Sequence, residues 1–65
     1  MDERIYKYLL DRNETRRSFM EEFLNDGGAK DYAEYREAVG VIKGLLQSLQ
    51  DLEDLFDRMK EHENE

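Results

Sequence analysis

The stretch Tyr35 to Met59, YREAVGVIKGLLQSLQDLEDLFDRM, decides the fold. Apolar residues recur through it at Tyr35, Ala38, Ile42, Leu45, Leu49, Leu52, Phe56 and Met59, in alternating steps of three and four over four heptads. That period brings all of them to one side of an α-helix, the pattern of a helix made to pack against other helices. No proline in the chain interrupts it.

Working upstream, Asp31 is placed to cap this helix and Glu34, three residues later, completes a capping box, so one helix is predicted from Asp31 to about His62. Gly27 and Gly28 lie just before it. A glycine lacks the Cβ that opposes left-handed backbone, so Gly27 is expected to close a first helix running from about Asp2 to Asn25. Asp2 and Glu3 suit the positive end of that helix's dipole. The turn from Gly27 to Lys30 is too short for anything but antiparallel neighbours. The expected fold is all-α: one domain over 1–65, an antiparallel two-helix hairpin that oligomerises into a helical bundle, four-helix if dimeric. Glu61 to Glu65 are expected to form a frayed, solubilising tail.

The need to oligomerise follows from size. A chain of 65 residues buries only about 60% of the surface its unfolded form exposes, and small folds usually need a staple. Cysteine is absent, which removes disulfides, and His62 is the one imidazole, which argues against a zinc site. Self-association is the device left. The lengths of the helices point the same way. Pairing across the turn sets Ile5 beside Asp51, so Phe56 and Met59 are expected to project at or past the end of the first helix, each forfeiting roughly 1.5–3 kcal/mol if left wet. The expected oligomer seam is therefore Ile42, Leu45, Leu49, Leu52, Phe56 and Met59.

The first helix is less regular. Ile5, Leu9, Phe19, Met20 and Phe23 share one face, and Arg12 and Arg16 fall in the middle of it; no residue from Asp11 to Ser18 is apolar. Three readings are open. The arginine stems can cover the seam while the guanidiniums reach a carboxylate such as Glu37. The pair, four residues apart, can grip a partner's carboxylates or a phosphate. Or the helix breaks locally. On the second helix, Gly40 and Gly44 each cost about 1 kcal/mol relative to alanine in a helix interior, and they align with Ala33 and Ser48 on the side opposite the heptad stripe. Either they make room for bulk from the first helix or they face an external partner.

Other patterns carry less. Asp51, Asp54 and Asp57 read as a solvated face, since no cage of oxygens and no histidine joins them. Tyr6, Tyr8, Tyr32 and Tyr35 read as core-edge residues with buried rings and wet hydroxyls. There is no nucleophile with an adjacent base, no phosphate loop and no cofactor motif, so catalysis and a cofactor are not expected. The longest apolar run falls far short of the roughly 20 residues of a membrane span, and MDERIYKYLL lacks a signal peptide's cationic start. A net charge of −7 weighs against broad nucleic-acid binding. Arg4, Lys7, Arg12, Arg16 and Arg17 are dispersed among Asp11, Glu14, Glu21 and Glu22 and form no continuous stripe.

The run GGAKDYAEYREAVGVIKGL, Gly27 to Leu45, followed by Asp51-Leu52 and an acidic end, resembles small helical proteins of tailed bacteriophages encoded near head and connector genes. The resemblance covers about half the chain and implies a virion or assembly role, in the virion or the host cytoplasm, with another virion or assembly protein as partner. It brings no catalytic residue. The expectation is a non-enzymatic phage structural protein whose seam makes a homo-oligomer, with Arg12, Arg16, Gly40 and Gly44 setting packing specificity or partner contact. The rival expectations are an acidic inhibitor or adaptor docking on a host protein, and an RNA-binding hairpin.

Overall fold

A computed structural model describes residues 2–63 of the chain, residue 63 by its backbone alone. Helix α1 spans Glu3–Asn25 and helix α2 spans Tyr32–Glu63, and among the described residues there is no strand. The two pack side by side in opposite directions as a hairpin 52 Å long, 17 Å wide and 11 Å thick. Of the expected tail, Glu61 to Glu65, the first three residues continue α2, and residues 64 and 65 lie outside the described residues.

The helix ends form where local chemistry requires them. At the start of α1 the carboxylate of Asp2 accepts from the Arg4 amide at 2.7 Å, satisfying one of the orphan N–H groups. At its end, Gly27 takes the left-handed conformation with φ of 72°, its amide donating to the Leu24 carbonyl at 3.2 Å. The Gly28 amide then donates to the Phe23 carbonyl at 2.8 Å. These two crossed bonds make a Schellman close. Gly28 is required for a second reason: a Cβ there would lie 2.7 Å from the Phe23 carbonyl oxygen and collide with the Phe23 ring. At the start of α2, Asp31 Oδ1 accepts from the Glu34 amide at 2.9 Å, and Glu34 Oε2 accepts from the Lys30 amide at 3.0 Å. The reciprocal box is thus shifted by one residue on its return side, reaching Lys30 instead of the cap itself.

The helices meet along two matching heptad stripes. From α2 come Ala38, Ile42, Leu45, Leu49, Leu52 and Phe56; from α1 come Tyr6, Leu10, Asn13, Arg17, Met20 and Leu24. Ala38, at 3% exposure, is the one buried apolar residue among those described; the others are half-buried. Half-burial of an aliphatic side chain contributes roughly 1 kcal/mol. The contact face of α1 therefore differs from the expected one by a single position. Tyr6 and Leu10 face α2 where Ile5 and Leu9 were anticipated, and Phe19 points to solvent at 68% exposure while Met20 and Phe23 stay half-buried.

The axial register differs as well. Phe56 does not project past α1: its ring stacks on Tyr6, with centroids 4.0 Å apart and an interplanar angle of 9°. Asn13 reaches Leu45. The N-terminal end of α1 thus lies further along α2 than the pairing of Ile5 with Asp51 implied, at a level held by the bond from Asn13 to the Leu45 carbonyl, and the overlap of the two rings removes area that would otherwise stay wet.

Candidate interaction surface

Two polar residues interrupt the apolar seam at mid-length. The Asn13 side chain donates through Nδ2 to the Leu45 carbonyl at 2.7 Å, a bond between residues 32 apart that ties the centre of α1 to one level of α2. Its Oδ1 is buried with no partner, and so is Nε of Arg17. Arg17 instead holds Glu21 at 4.0 Å, at the outer limit of an ion pair. A buried polar atom left unsatisfied costs about 1–3 kcal/mol. The sequence reading missed both residues. The available signal was the unbroken spacing of Tyr6, Leu10, Asn13, Arg17, Met20 and Leu24, which disregards polarity in the middle of the helix.

Arg12 and Arg16, expected at the centre of the seam, lie beside it. Both are exposed, α1 does not break at them, and neither forms a hydrogen bond or ion pair among the described residues; the expected link to Glu37 is not made. They border a shallow groove whose other walls are Tyr8, Leu9, Asn13, Leu45, Ser48 and Leu52. The groove continues past Phe19, Met20 and Val41, along a section almost wholly apolar. Gly40 and Gly44 are exposed, and a Cβ built on either meets nothing within 4 Å. Packing inside the hairpin therefore gives no reason for their lack of side chains.

Of the residues expected to form an oligomer seam, Ile42, Leu45, Leu49, Leu52 and Phe56 are half-buried against α1 of the same chain, and Met59 is 39% exposed. The hairpin is one layer thick, and its two broad faces differ. One carries Ile5, Leu9 and Phe19 from α1 and Val41 and Leu55 from α2, all exposed. By helical periodicity the opposite face takes Lys7, Glu14 and Glu21 from α1, with Leu46, Tyr35 and Glu53 from α2. Charge thus dominates the α1 half of that second face.

At the far end of the hairpin, partial burial against Phe56 raises the Tyr6 hydroxyl above its ordinary pKa of 10.0, with further contributions from the negative charges of Glu53 and Asp57. Lys60 lies over the other partner's ring, 5.2 Å from the Phe56 centroid. Asp51 accepts from Gln47 at 3.0 Å, and Asp51, Asp54 and Asp57 are all exposed. Among the described residues no group of three or more acidic, histidine or cysteine side chains is placed to hold a metal ion. No helix among them is long and apolar enough to cross a membrane. Compared with family models, with curated proteins and with solved structures, the chain matches none.

Proposed function

We propose that this chain is a non-enzymatic structural or assembly protein of a phage particle that acts by helix-mediated self-association and protein–protein contact. One observation carries the association: a hairpin in which only Ala38 is buried, among the described residues, leaves Ile5, Phe19, Val41 and Leu55 open on one face. A single layer of two helices has no second layer to cover that face, and domains reach stability by packing two layers around a core. The phage assignment rests on the sequence resemblance from Gly27 to Leu45. The partner is another virion or assembly protein, and the site of action is the particle or the host cytoplasm.

Sedimentation equilibrium across a hundredfold concentration range tests the association. The expected species has a mass that is a multiple of 7.8 kDa, and its melting temperature rises with concentration. A 7.8 kDa species that melts cooperatively at one temperature throughout would refute it. Mass spectrometry of purified particles tests the setting, with the chain expected among the particle proteins. Its absence there, together with capture of a single host protein, would favour the adaptor reading.

A further inference from the structure

The apolar residues of α1 come as neighbours in sequence: Ile5 with Tyr6, Leu9 with Leu10, Phe19 with Met20. Tyr6, Leu10 and Met20 enter the hairpin contact, and Ile5, Leu9 and Phe19 form a second stripe, with Arg12 and Arg16 between them at heptad spacing. On α2, Val41, Ser48 and Leu55 repeat every seven residues beside the seam. A helix with two adjacent heptad stripes is equipped for two helical neighbours, as in a bundle. Each helix here has one.

We propose that the face bearing Ile5, Leu9, Phe19, Val41 and Leu55 seats a second copy of this chain, with each α1 lying over α2 of the other copy. This rests on the self-association reading above and adds to it the surface and the helix order. The hairpin's broad side spans 52 by 17 Å, on the order of 900 Å², room enough for the roughly 800 Å² that each partner buries in a stable interface.

Charge selects the occupant and its orientation. Arg12 and Arg16, the cations of the α1 stripe, have no partner among the described residues. On α2 the matching level is Gly44 to Ser48, flanked by Glu37 and Asp51; among the described residues Glu37 is also without a partner, and Asp51 is bonded only to Gln47. Placing α1 on α1 would bring four guanidiniums together. Placing α1 on α2 sets them over the section with the least side-chain bulk. Glu37 then lies about 10 Å along the helix from Gly44 and Asp51 about 5 Å from Ser48, spans that an arginine and a carboxylate side chain close between them. A face that carries both the cations and their acidic counterparts is self-complementary about a two-fold axis parallel to the helices, as an isologous dimer requires.

The chain has no native cysteine, so disulfide trapping is unambiguous. Arg16→Cys and Gly44→Cys proteins, mixed and then oxidised, are expected to yield the mixed 16–44 dimer, with little of the 16–16 species. Val41→Asp combined with Leu55→Asp should halve the sedimenting mass, whereas Leu46→Asp, on the opposite face, should not. Gly44→Leu guards against simple unfolding: its Cβ has open space within the hairpin, so helicity should hold while the dissociation constant rises at least tenfold. A wild-type monomer at every concentration would defeat self-association itself. An oligomer that survives Val41→Asp/Leu55→Asp and Gly44→Leu but fails with Leu46→Asp would leave association standing and overturn this face. A dominant 16–16 disulfide would overturn the helix order.

Discussion

The open end of the hairpin and its middle use opposite chemistry in the same seam. At the end, Tyr6 and Phe56 stack ring on ring. In the middle, Asn13 and Arg17 occupy core positions and leave Oδ1 and Nε without partners. The rings supply area and dispersion but little positional information, because stacked aromatics tolerate sliding. Asn13 does the reverse: its bond to the Leu45 carbonyl exists at one axial level only. The end thus contributes buried area and the middle fixes register. The same division occurs in coiled coils where one polar core residue specifies alignment at a cost in stability.

Phe56→Ala breaks the end of the seam and should have the largest effect. Truncating a fully buried phenylalanine costs about 3–5 kcal/mol. For this half-buried ring about 2 kcal/mol is expected, lowering the melting temperature by roughly 10 °C. A double-mutant cycle with Tyr6→Ala, read by urea denaturation, should return a coupling of about 1 kcal/mol. Additive effects would mean that the stack contributes no more than its area.

Asn13→Leu tests the middle and should act in the opposite direction. Replacing a half-satisfied polar group by an apolar one of similar size removes the orphaned oxygen, and stability is expected to rise by about 1 kcal/mol. The melting temperature measures the gain. Spin labels on the two helices should show a broader distance distribution as the register loosens. A drop in stability with unchanged distances would show that the Leu45 bond outweighs the burial of Oδ1.

The smallest effect is in alkaline solution. Tyr6 has its folded pKa above 10.0, so the folded hairpin favours the neutral phenol more than the unfolded chain does. The stability linked to this group is fully present below pH 10 and is lost as pH rises through the elevated folded value. Circular-dichroism melts at pH 9 and pH 11 should show a decline in the wild type that is smaller in Tyr6→Phe. An equal decline in both would assign the alkaline loss to other groups.

Much of the hairpin was legible from residues alone. Asp2, Gly27 and the Asp31–Glu34 pair act over two to five residues, through hydrogen bonds and backbone sterics that need no distant partner, and each does so where the chain indicates except that Glu34 reaches the Lys30 amide in place of that of Asp31. The α2 stripe from Ala38 to Phe56 was equally plain, since one face is strongly apolar and the others are not. The candidate surface was less so. Arg12 and Arg16 stand out in the sequence as cations on an apolar face, but their place beside the seam does not show there, and polarity hides the core positions of Asn13 and Arg17.

The helices, their ends and the antiparallel turn follow from sequence by itself, because short-range bonding and the 3.6-residue period determine them. The tertiary structure alone decided which member of each neighbouring pair in α1 turns inward, Ile5 or Tyr6, Leu9 or Leu10, Arg12 or Asn13, Arg16 or Arg17. Such neighbours stand about 100° apart on the helix, so a small rotation exchanges one stripe for the other. Only contact with α2, through the Phe56 ring and the Leu45 carbonyl, separates the two choices in energy.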